Sequence, residues 1–137
     1  MGCTYKWADD NHLIMDLAIE SPWTWEEYNS LLSEVFPILK TLGKPCAVTV
    51  DVTSFGKLPP GNALSYLSRA EKLMPINLFA SVIVGAPYIV TMFIDIMTRT
   101  RPHPRHATLF AKTVPEAHEK IFDTYRQLYP SQTKRNS

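Results

Sequence analysis

Three short apolar runs, Cys46 to Val52, Leu78 to Val84 and His106 to Ala111, each give way to a stretch whose apolar residues recur every three or four positions. A β-branched, apolar run without strict alternation suits a strand covered on both faces of a parallel sheet. Parallel strands need a crossover long enough to hold a helix, and that requirement narrows the fold to an α/β layer structure. The first crossover is expected from about Gly61 to Met74, with Ala63, Leu64, Leu67, Ala70 and Met74 as its inner stripe. The second runs from Pro87 to Thr100, with Pro87 in the first turn. The last opens on a capping box of Thr113 and Glu116, presents Ala117, Ile121, Tyr125 and Leu128, and stops at Pro130.

Upstream, Leu13, Met15, Leu17 and Ile19 alternate with polar positions including Asp16, which predicts a strand buried on one face. Thr4 to Ala8 supplies a partner strand and Asp9 to His12 has turn composition, so a β-hairpin begins the fold. Thr24 and Glu27 have capping-box spacing, flanked by a Trp23–Tyr28 staple, and predict a helix from Trp25 to a left-handed stop at Gly43. Pro37 is expected to kink it. The whole reads as a hairpin, a helix and three βα units: a five-stranded mixed, mostly parallel sheet with about four helices.

The chain has 137 residues, enough for one core without disulfide or metal support, and a single domain over residues 1–130 with a polar tail at 131–137 is expected. A net charge of +1 gives no overall field for nucleic acid. Cys3 and Cys46 do not suggest a disulfide framework, and Cys46 sits in an apolar run. No secretory leader and no stretch of membrane-spanning length is read, so a cytoplasmic protein that is not transmembrane is expected.

The order strand, strand, helix, then strand and helix three times, resembles the STAS domains, named for sulfate transporters and anti-sigma-factor antagonists. Val50, Asp51, Val52, Thr53, Ser54 and Phe55 carry the local likeness, where the family's third strand passes into the loop before its regulatory serine. Where the family usually reads Asp-Ser-Ser-Gly, this chain has Lys57, Leu58, Pro59, Pro60 and Gly61, with no hydroxyl. The resemblance thus implies a STAS-like fold without the phosphoacceptor. The chain also resembles the STAS-like group, similar in architecture and of poorly defined activity, and that resemblance implies either binding of a lipid or other small ligand or protein partnership.

Ligands of open α/β sheets gather beyond the carboxyl ends of the strands. Ser54 and Lys57 offer a hydroxyl and a cation there, Asn62 lies near a helix start, and Tyr88 is placed to cover the opening; the same residue types also serve as ordinary loop and cap residues. Arg99, Arg101 and Arg105 form a local positive cluster suited to a phosphate, a headgroup or the C-terminal dipole of a helix. The histidines lack metal-ligand spacing, no phosphate loop or nucleophile elbow occurs, and neither cofactor, metal nor enzymatic activity is expected.

The anomaly is the Pro87 helix. Thr91, Asp95 and Thr98 make a narrow polar stripe, whereas Tyr88, Ile89, Val90, Met92, Phe93, Ile94, Ile96 and Met97 cover the rest. Such a helix is either covered within its own domain or exposes a patch. The leading expectation is a noncatalytic STAS-like regulatory or protein-interaction domain that self-associates as a homodimer, with Ile89, Val90, Met92, Phe93, Ile94 and Met97 at the interface. The alternative is a carrier or sensor of a small apolar or amphipathic, lipid-like ligand lodged against this helix.

Overall fold

The structure, a computed structural model, describes residues 2–99 and 106–130. In these, strands β1 (Cys3–Trp7) and β2 (Ile14–Ile19) are followed by helix α1 (Trp25–Leu42), strand β3 (Cys46–Asp51) and helix α2 (Ala63–Leu73). Strand β4 (Leu78–Val84), helix α3 (Tyr88–Arg99), strand β5 (Ala107–Ala111) and helix α4 (Val114–Leu128) complete the described chain. The expected tail at 131–137 lies outside the described residues.

The five strands form one sheet in the order β1-β2-β3-β4-β5, with β1 antiparallel to β2 and every other neighbour parallel. This is the mixed, mostly parallel α/β architecture that the sequence predicts. Because the parallel strands are added in one direction, right-handed crossovers place their helices on one face. Leu31, Leu32, Val35 and Leu39 of α1 accordingly pack with Met15, Leu17, Cys46 and Val48. Ile94 of α3 meets Ile19 and Ile83 on the same side. Helix α4 has no later strand to reach and covers the opposite face, where Ala117 and Ile121 pack on Ile14, Ala47, Val82 and Val84.

Local chemistry sets the boundaries. The Thr24 side chain accepts the Glu27 N–H at 3.1 Å, and Trp23 lies 6.4 Å from Tyr28, ring to ring. Glu27 does not complete the box; its Oε2 accepts the Gly2 N–H at 2.9 Å and ties β1 to α1 instead. At α4 the Thr113 hydroxyl accepts the Glu116 N–H, and the Glu116 carboxylate reaches the Lys112 N–H one residue before the cap. Gly43, with φ 65°, ends α1 in the left-handed conformation. Asn77 joins the end of α1 to β4, its Nδ2 donating to the Leu39 and Lys44 carbonyls at 2.7 and 2.8 Å.

Two expectations need correction. Strand β2 is covered on both faces, because Ile14 packs toward α4 while Met15, Leu17 and Ile19 face the other helices. Helix α2 buries none of its residues, so its apolar stripe of Ala63, Leu64, Leu67, Ala70 and Met74 is only half covered. Its Leu67, Ala70 and Met74 stand across a small chamber from Leu17, Val48 and Val50 of the sheet rather than filling it.

Candidate functional site

The loops beyond the strand ends are where the sequence places a polar ligand site, and apolar packing fills that position. Trp23, Trp25, Val52 and Phe55 are buried there with Ile83 and Ile94. The Trp23 indole donates to the Phe55 carbonyl at 2.7 Å, and the Trp25 indole to the Pro59 carbonyl at 3.2 Å. Trp25 also stacks on Tyr66 with centroids 4.8 Å apart, which pins the loop after β3 against α1 and α2. Large aromatic bodies with satisfied N–H groups account for this closure.

The individual candidates follow from that arrangement. Asn62 is the N-cap of α2 and accepts the Ser65 N–H at 3.2 Å. Ser54 accepts the Ser21 N–H through its backbone carbonyl, leaving its side chain and that of Lys57 exposed. Tyr88 is 81% exposed and covers no opening. Among the described residues no hydrogen bond or ion pair joins Ser54, Lys57, Asn62 and Tyr88, so the structure does not assemble them into a site. Arg99 pairs with Asp95 at 2.9 Å along its own helix. Arg101 and Arg105 lie outside the described residues.

Helix α3 separates its interface candidates into inner and outer sets. Ile94 is 6% exposed and belongs to the core, which removes it from the interface. Val90 and Phe93 are half-buried, and the Met97 side chain lies outside the described residues. Ile89 and Met92 are exposed, as are Tyr88 and Ile96. These four follow one another around the helix at positions one, three and four apart, so they share one side of it.

A polar cluster on the opposite face of the sheet was not anticipated. Asp16 on β2 and Thr49 on β3 are register partners, and the Thr49 hydroxyl donates to Asp16 Oδ1 at 2.6 Å. His118 of α4 approaches the same oxygen through Nε2 at 2.9 Å. An ionised carboxylate only accepts, so Nε2 carries the proton of that contact. Thr49 is fully buried, and Asp16 satisfies its hydroxyl. The carboxylate stands between hydroxyl and imidazole; in a nucleophile relay the imidazole stands in the middle. The arrangement fastens α4 to the sheet.

A wide cleft lies on the helical side, between the C-terminal half of α1 and the C-terminal part of α2. It encloses about 840 Å³, is walled by Leu32, Phe36, Ala70, Leu73, Met74 and Ile76, and carries Lys40 and Arg69 at its margin. Leu73 and Ile76 are 62% and 89% exposed. Neither residue type nor helical spacing marked this groove, because α1 and α2 each read as one-sided helices with a buried stripe.

Burial weakens ionisation of the polar hydrogens in this part of the molecule. It pushes the Cys46 thiol up to about 11. The Cys3 thiol is also raised to about 11, first by burial and then by the Glu27 carboxylate. The Tyr28 phenol rises further, again chiefly through burial, with the charges of Cys3 and Glu71 adding to it. All three groups are therefore protonated at neutral pH.

Among the described residues no group of three or more His, Cys, Asp or Glu side chains is placed to hold a metal ion, and no helix is long and apolar enough to cross a membrane. Compared with protein-family models, curated proteins and solved structures, the chain matches none.

Proposed function

We propose that this chain is a noncatalytic, STAS-like interaction module that forms a homodimer through the outer side of α3. The observation that carries this reading is the exposure of Tyr88, Ile89, Met92 and Ile96 on one side of a single helix. Fully burying a side chain of this size is worth roughly 1.5–3 kcal/mol, so covering four partly exposed ones on each of two copies offsets much of the entropic cost of association.

A second copy fits this side because a two-fold axis lays the same exposed apolar row against itself. Asp95 and Arg99, of opposite sign, flank the apolar stripe as an exposed pair. In an antiparallel helix contact about a two-fold axis at Met92, the centre of the stripe, each Met92 meets its equivalent and each Tyr88 lies level with the other copy's Ile96. The adaptable thioether suits such a central position. The order of strands and the absence of a hydroxyl at residues 57–61 support a STAS-like regulator that acts by association rather than by phosphorylation.

Sedimentation velocity of the wild type and Met92→Glu tests the proposal. The wild type should sediment as a dimer at tens of micromolar and the variant as a folded monomer. A wild type that remains monomeric at millimolar concentration removes self-association from the account. Ile94→Glu is no substitute, since it places a charge in the core.

A further inference from the structure

The groove between α1 and α2 adjoins a second space deeper in the fold. Its walls share Leu32, Phe36, Ala70 and Met74 with the chamber of about 90 Å³ that separates α2 from the sheet. That chamber alone is smaller than the roughly 150 Å³ in which an apolar cavity holds benzene. It is divided from the 840 Å³ groove only by those shared side chains, and the two together make an elongated, mainly apolar path of the size that small-molecule sites occupy, about 300–1,000 Å³.

We infer that this path binds a single-chain anionic amphiphile, its alkyl tail running along the groove toward the chamber and its carboxylate or phosphate head outside, between Lys40 and Arg69. Three observations fix the occupant and its direction. Lys40 on α1 and Arg69 on α2 are exposed cations on opposite sides of the groove, and neither engages a carboxylate or carbonyl among the described residues. The inner wall carries Leu17, Val48, Val50 and Ile83, which suit a tail. The cations sit at the groove and not at the chamber, whose lining is mainly apolar, so the head belongs at the groove end.

The two helices explain why such a path exists. Helix α1 is anchored by five buried side chains, whereas α2 has none and can yield without breaking a packed core. Leu73 and Ile76 leave large apolar areas in water that a tail would cover. The site is independent of the α3 contact and makes the molecule a sensor or carrier as well as an interaction module. The tail would run between α1 and α2, and Ile94 of α3 also lines the chamber at its end.

Isothermal titration of the full, delipidated chain with dodecanoate and dodecyl phosphate below their micellar concentrations tests the inference. Dodecanol and dodecyltrimethylammonium serve as the neutral and cationic comparisons. Both anions should bind at one site, and their ratio distinguishes a carboxylate from a phosphate head. Lys40→Glu combined with Arg69→Glu, at exposed positions, should weaken the anions about tenfold, the size of one or two charge-assisted contacts, and dodecanol much less. Ala70→Trp should block the junction and weaken all tailed ligands, with circular dichroism confirming the fold. Absence of saturable binding by either anion overturns the inference, as does equal affinity for the cationic amphiphile or insensitivity to the charge reversal. A change of oligomeric state in Ile76→Glu, without an effect on amphiphile binding, would instead make the groove a protein interface and equally overturn it.

Discussion

Asp16 does for the sheet what no apolar residue at that position can do: one carboxylate oxygen receives both the buried Thr49 hydroxyl and the His118 ring of a helix far along the chain. Removing it leaves a fully buried hydroxyl without its acceptor. Asp16→Ala should therefore cost about 2 kcal/mol in urea unfolding, within the range for losing a charged partner of a buried group. His118→Ala should cost less, and the pair should be non-additive in a double-mutant cycle. Gly85 presents a second local constraint. It has φ 69°, and a Cβ there would lie 2.2 Å from Thr53 Oγ1 and 3.1 Å from Thr53 Cα. Gly85→Ala should lose about 2–4 kcal/mol through the left-handed backbone and the crowding of the neighbouring loop. Cys46 is fully buried, with its thiol raised to about 11. In a Cys3→Ser background it should resist iodoacetamide at pH 8 until the protein is unfolded; modification at the rate of an unfolded control would contradict that burial. Glu116 acts in the opposite electrostatic sense. The Lys112 N–H holds its carboxyl below the usual range, with the nearby lysine charges assisting. Its contribution is present above the unfolded pKa and disappears as pH falls through the lower folded one. The stability difference between wild type and Glu116→Gln should shrink along that acid limb.

At the scale of elements, α2 differs from its neighbours in how it is held. Helices α1 and α4 are capped by threonines and carry buried side chains, whereas α2 relies on Asn62 at its N-cap and on half-covered contacts. Amide hydrogen exchange should be faster across Ala63–Leu73 than in β3 and β4, and a bound amphiphile should slow it. Equal protection of α2 and the central strands would contradict a helix that yields. The elements themselves were legible because their signals are local: capping spacings at Thr24 and Thr113, the turn composition at 9–12, and apolar runs bounded by glycine or proline. What each element touches was less legible. The alternation beginning at Leu13 concealed that Ile14 faces α4 and makes β2 two-sided. The periodic stripe of α2 gave no sign that the opposing sheet stands back from it.

For the whole molecule, strand order decides where function has room. Adding parallel strands in one direction commits three helices to one face and leaves α4 to cover the other, so clefts between crossover helices fall on a single side. The aromatic plug around Trp23, Trp25 and Phe55 closes the strand ends, where an open sheet would otherwise take a ligand. That closure depends on contacts such as Trp23 with Phe55, 32 residues apart, and the Asp16–His118 contact spans 102; neither separation leaves a periodic mark in sequence. The apolar excess of α3 was visible, but only the fold divides it into a buried Ile94 and an outer row of Tyr88, Ile89, Met92 and Ile96. Oxidative cross-linking of Met92→Cys in the Cys3→Ser background tests the dimer through that row most directly, with Phe122→Cys on α4 as the exposed control. Position 92 should give a disulfide-linked dimer rapidly and position 122 slowly or not at all; a monomer at both positions, or equal cross-linking at the two, would contradict the account.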